Sequence, residues 1–89
     1  MIAQYEETLL ELIDQQVETA SDDELFAGGY LRGHISLSAA DCEAEEISDL
    51  DELKKRIVKS LDDAKAELSP ADRIIVDDLW QQLQSKADS

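Results

Sequence analysis

Ser21-Asp22-Asp23-Glu24-Leu25-Phe26-Ala27-Gly28-Gly29-Tyr30-Leu31-Arg32-Gly33-His34 is the stretch whose reading sets the fold. It holds all three glycines, the only histidine, the only phenylalanine and the only basic residue among the first 50 positions. Ser21 with Glu24 forms a capping box: the serine hydroxyl accepts from the Glu24 amide while the Glu24 side chain reaches back to the serine amide. Asp22, Asp23 and Glu24 complement the positive end of the helix that starts there. At 100° per residue, Leu25, Phe26, Gly29, Tyr30, Gly33, Leu37 and Ala40 fall on one broad face, and Gly28, Leu31, Ile35 and Cys42 on a second stripe. A helix apolar on two sides touches two neighbours, so this helix, over residues 22–43, is expected to be the most buried of the chain.

The flanking segments are ordinary amphipathic helices. Over residues 2–20, Ile2, Tyr5, Leu9, Leu12, Ile13, Val17 and Ala20 recur at spacings of three and four, opposite Glu7, Glu11, Asp14 and Glu18. Residues 43–47 read as a short acidic connection. A third helix over residues 49–67, capped by Ser48 or Asp49, carries a narrow stripe of Leu50, Leu53, Ile57, Leu61, Ala64 and Leu68. Ser69-Pro70-Ala71-Asp72 is the clearest boundary, with serine as the cap and proline at the first helical position. A fourth helix over residues 70–86 offers Ile75, Val76, Leu79, Trp80 and Leu83, and residues 87–89 are expected to fray. Short links favour antiparallel neighbours, so the expected fold is all-α: one domain over residues 1–89, a compact antiparallel four-helix bundle in up-down-up-down order.

Composition bounds the function. The chain has 22 acidic and 8 basic residues and a net charge of −14. The first 50 residues carry −12 of it. Such a field repels phosphate backbones, which argues against direct nucleic-acid binding and favours encounter with a basic protein partner. The acidic N-terminal segment lacks a basic n-region, and no apolar run approaches the ~18 residues that span a bilayer. The expectation is a soluble cytoplasmic protein that does not engage membranes and is a monomer or weak homodimer.

Catalytic constellations are missing. Cys42 and His34 lie ~12 Å apart along one helix, too far for a dyad, and Cys42 reads as a small apolar residue. Residue 31, three before the single histidine, is leucine, so the Glu-x-x-His pattern of di-metal bundles is absent. Residues 41–52 place acids like a calcium loop, but position 6 is Glu46 where glycine is required. No catalytic, cofactor-binding or metal-binding residue is assigned, and no cofactor is expected.

The glycines need an explanation, since each costs ~1 kcal/mol against alanine inside a helix. Close packing of Gly29 and Gly33 against a neighbour is the first reading; a kink at Gly28-Gly29 is the second. Arg32, a lone cation in an acidic half, is expected to bridge to Glu11 or Asp14. His34 is expected to be partly exposed and satisfied by a carboxylate. Lys54, Lys55, Arg56 and Lys59 form the sole basic cluster, read as the solvated face of helix three pairing with its own acids. The candidate interaction surface is Tyr30, Leu31, Arg32, His34 and Ile35.

Residues 21–27 and 29–34, with Met1-Ile2-Ala3 and Glu67-Leu68-Ser69-Pro70-Ala71-Asp72, resemble the YfcL family of small gammaproteobacterial proteins. The resemblance spans nearly the whole chain and implies a cytoplasmic helical protein. It brings no catalytic or ligand-binding residues. The functional expectation is therefore a non-enzymatic interaction or regulatory module. The alternative is an acidic nucleic-acid mimic that occupies the basic site of a DNA- or RNA-binding protein; an enzyme of unrecognised mechanism ranks third.

Overall fold

The computed structural model describes residues 2–88. It contains four α-helices, α1 (Ile2–Gln16), α2 (Asp22–Ala44), α3 (Leu50–Ala64) and α4 (Pro70–Asp88), with one 3₁₀ turn, Lys65–Glu67, after α3. The expected all-α four-helix bundle is what forms. Cross-helix contacts fix the directions. The end of α1 meets the first part of α2 at Ile13 and Gly28. Glu45 just past α2 meets Arg56 midway along α3, while His34 midway along α2 meets Ser60 farther along α3. Tyr5 of α1 meets Asp88 of α4.

Local rules account for most of the boundaries. The Ser21–Glu24 capping box is complete, each bond 3.2 Å long. Asp49, one of the two expected caps, accepts from the Asp51 amide at 3.0 Å. Ser69 accepts from the Asp72 amide at 3.2 Å and leaves Pro70 at the position where a missing N–H costs nothing. Three ends differ from expectation. α1 stops at Gln16 and residues 17–19 form a turn, which leaves Val17 half-exposed. The last turn of the third helix tightens to 3₁₀ geometry, common at helix ends. Ala87 and Asp88 stay helical because Asp88 is tied to two other helices; Ser89 lies outside the described residues.

Between α2 and α3 the chain uses a two-bond helix stop. The Ile47 amide donates to Cys42 O at 2.8 Å and the Glu46 amide to Glu43 O at 3.1 Å, with Glu46 at φ 59°. This is the Schellman arrangement, in which the left-handed position is usually glycine. Here it is glutamate. Ile47, just past it, packs partly buried against the core.

The core is aliphatic. Leu9, Leu31, Ile35, Leu53, Ile57 and Leu83 are fully enclosed, with Trp80 at one side. α2 touches all three other helices, most extensively α4, then α3, then α1. It does so through one face: Ala27, Gly28, Leu31, Ile35, Ser38, Ala39 and Cys42. The second stripe read from the sequence, Gly28, Leu31, Ile35 and Cys42, is therefore the core stripe. The broad face points to solvent, contrary to expectation. The reason is thickness. The molecule measures only 18 Å along its shortest axis, which holds two layers of helices spaced ~8–10 Å apart and leaves nothing to cover the back of α2.

Candidate interaction surface

α2 runs unbroken through its glycines, so Gly28-Gly29 does not divide it into two shorter helices. The three glycines occupy different surroundings. A β-carbon on Gly28 would lie 3.2 Å from Ile13 Cγ2, so this glycine does admit a close neighbour from α1. Gly29 and Gly33 would meet nothing within 4 Å. The expected close packing at these two positions is not made inside the chain, because they belong to the outward face.

That face is the most unusual surface of the molecule. Phe26, Gly29, Gly33, Leu37 and Ala40 form a line with members about one turn apart along the exposed side of α2, with Leu25 beside it. Leu25 is 42% exposed, Phe26 43% and Leu37 58%. No acidic residue occurs anywhere in residues 25–40, although acids make up 22 of the 89 residues. Elsewhere the outer faces carry carboxylates, for example Glu7, Glu11 and Asp14 along α1 and Glu18 in the turn after it.

The structure splits the surface expected at Tyr30, Leu31, Arg32, His34 and Ile35. Leu31 and Ile35 are wholly enclosed and cannot contact a partner. They lie on the inward stripe, one face away from Arg32. Arg32 is exposed and pairs with Asp14 of α1 at 3.7 Å, one of the two bridges read from the sequence. His34 shares a 2.5 Å hydrogen bond with Ser60 of α3, so its partner is a hydroxyl and not the expected carboxylate. Its ring lies 4.6 Å from the Tyr30 ring, which lies 6.0 Å from Phe26. These three rings edge the exposed face on the side toward α3.

Tyr30 is half-buried, and its hydroxyl is shut away from solvent with no hydrogen-bond partner. Burial, and then the charge of Glu67, pushes its ionisation upward. A small half-open cleft of about 150 Å³ adjoins the ring, between Leu61, Leu68, Val76 and Trp80.

The polar groups elsewhere are mostly spent on the fold. Arg56 holds Glu45 through both terminal nitrogens and Glu52 through Nε at 3.2 Å. The bonds from Arg56 keep the Glu45 carboxyl below the usual range. Lys54 donates to Asp88 at 3.1 Å and sits 5.3 Å above the Tyr5 ring, whose hydroxyl donates to the same carboxylate at 3.0 Å. Two members of the basic cluster are thus committed within the chain, mainly to acids of other elements; only the Glu52 contact follows the expected i,i+4 pattern. The acidic segment at 41–52 is a helix end, a tight stop and a cap. Cys42 is fully enclosed and burial raises its thiol. Among the described residues no group of three His, Cys, Asp or Glu side chains is placed to hold a metal ion, and no helix is long and apolar enough to cross a membrane.

Comparison with known proteins agrees with the resemblance carried by the α2 and α4 motifs. The family described as YfcL protein matches residues 3–85. The chain belongs to the YfcL family. It is 44% identical over 89 residues to the Escherichia coli (strain K12) protein described as "Uncharacterized protein YfcL", covering 98% of this chain and 97% of the relative. No solved structure matches. The YfcL assignment therefore brings no site with it, and the outward face of α2 stands as the candidate on physical grounds alone.

Sequence reasoning placed Leu31 and Ile35 on the candidate surface and expected both apolar faces of α2 to be covered; the structure encloses those two residues and leaves the broad face open. The overlooked signal was charge: in so acidic a chain, an acid-free window longer than four helical turns marks a surface kept clear of carboxylates.

Proposed function

We propose that this YfcL-family protein is a non-enzymatic interaction module that acts in the cytoplasm through the outward face of α2. The observation that carries the reading is the exposed, acid-free line of Phe26, Gly29, Gly33, Leu37 and Ala40 on an otherwise acidic exterior. Isolated apolar residues on a surface need no explanation, but a contiguous patch does. The bare backbone at Gly29 and Gly33 supports helix docking, because small residues let a second helix approach closely while Phe26 and Leu37 provide raised contacts on either side. The polar groups near the patch support a binding role over a catalytic one, since Arg32 and His34 are each occupied within the chain.

The test is affinity capture with wild-type protein and a Phe26→Glu/Leu37→Glu variant. Both substituted side chains are substantially exposed, so the fold should hold, as checked by far-UV circular dichroism. The expected result is loss of a specific bound protein from the variant. Retention of every wild-type partner would overturn the proposal.

Nucleic-acid mimicry is supported by a different observation, the exposed acids Glu7, Glu11 and Asp14 on α1 with Glu18 just beyond its end. A partner held there would dissociate steeply as salt rises and would be indifferent to the α2 substitutions.

A further inference from the structure

We infer that the occupant of the exposed α2 face is a second copy of this chain, bound antiparallel about a two-fold axis at Gly33. The inference rests on the reading of that face as a contact surface and names its partner. Its first support is the order of large and small residues. In an antiparallel pair centred on Gly33, Phe26 of one copy faces Ala40 of the other. Leu37 faces Gly29, and the two Gly33 residues face each other. Each bulky side chain meets a small residue and each small residue meets a bulky one, except at the axis, where two bare backbones meet. A two-fold contact must be self-complementary in this way, residue by residue. No register with Phe26 facing Phe26 or Leu37 facing Leu37 would fill the bare positions.

The second support is charge. Two chains of −14 repel each other over most of their surfaces. Residues 25–40 are where two α2 backs can meet without bringing acids together. Asp22, at one end of the line, would face Ala44 of the second copy. Arg32 lies near the axis, but each copy's guanidinium is drawn aside to its own Asp14. A basic partner would gain little here, because the face offers it no free carboxylate. The third support is the open space over the glycines. Nothing in the chain lies within 4 Å of a β-carbon at 29 or 33, so a second helix can reach the backbone itself.

The register makes a sharp test. With Gly33→Cys, the new thiols lie on the axis, so mild oxidation should give a disulfide-linked dimer of the full chain. Ala40→Cys alone should not cross-link, but mixed with Phe26→Cys it should form the mixed dimer. Wild type, whose Cys42 is enclosed, is the control and should stay monomeric on denaturing gels. Sedimentation equilibrium at high chain concentration should show a dimer for wild type and a monomer for Leu37→Glu. The wild-type association should strengthen with added salt, because salt screens like-charge repulsion.

A wild-type chain that sediments as a monomer throughout, with no cross-link at 33, overturns the self-association. If Phe26→Glu/Leu37→Glu then still loses a different captured protein, the interaction reading survives without it. If that variant loses nothing, both fall. Cross-linking of Phe26→Cys with itself in a dimer would also overturn the proposal, since that requires a register other than one centred on Gly33.

Discussion

The two faces of α2 are equally apolar in composition and opposite in consequence. On the inner face Leu31, Ile35 and Cys42 are fully enclosed, and Gly28 is pressed against Ile13. On the outer face Phe26 and Leu37 are substantially exposed, and a β-carbon at Gly29 or Gly33 would stand in open space. One helix thus serves as the central support of the bundle and carries an exposed apolar face. Periodicity alone registers both faces as stripes; only the packing of the other three helices decides which one is interior.

The contrast should break most visibly at paired leucines. Leu31→Ala leaves a cavity among three helices and should cost ~2–5 kcal/mol, whereas Leu37→Ala should stay within ~0.5 kcal/mol; urea unfolding of dilute protein measures both. Equal losses would mean that the face assignment is wrong. The glycines give the next largest separation. Gly28→Leu forces atoms into Ile13 and should destabilise by ~1–3 kcal/mol. Gly33→Ala should stabilise the monomer by up to ~1 kcal/mol, because it gains helix propensity and displaces nothing.

Tyr30, on the border between the two faces, sharpens the comparison. Tyr30→Phe removes a buried hydroxyl that bonds to nothing, so it should raise stability by ~1 kcal/mol instead of lowering it. A loss on thermal unfolding would mean that the hydroxyl has a partner in solution.

The smallest expected effect lies away from α2, at the Tyr5–Asp88–Lys54 junction. The bonds from Lys54 hold the Asp88 carboxyl below the ordinary aspartate range. A lowered carboxylate contributes stability above its unfolded-state value, and that contribution is lost as pH falls through its folded-state value. Acid titration of the melting temperature below about pH 4 should therefore slope less for Asp88→Asn than for wild type. Because the junction is partly exposed, the difference should amount to a degree or two. An unchanged slope would show that Asp88 does not help to hold the helix ends.

Much of the architecture was legible because it is local. Ser21 with Glu24, and Ser69 with Pro70, announce helix starts through backbone amides that lack partners, and no distant residue enters that reasoning. Arg32 could be matched to Asp14 because a lone cation among acids has few other choices. The errors arose where the answer is non-local. Burying both faces of α2 would need a third layer of helices, and 89 residues do not supply one. His34 found Ser60 across a helix interface that no sequence spacing encodes. The fourth helix persists to Asp88 because of Tyr5 and Lys54, each far away in the chain.

The corner at Glu46 and Ile47 has a further consequence. A glutamate in the left-handed region sits uphill of its relaxed backbone by roughly 1 kcal/mol, and it stays there only while Ile47 remains lodged against the interior. The corner therefore behaves as a loaded latch. Any breathing of the bundle that unseats the isoleucine also releases the glutamate, which makes this joint a natural starting point for α2 and α3 to part.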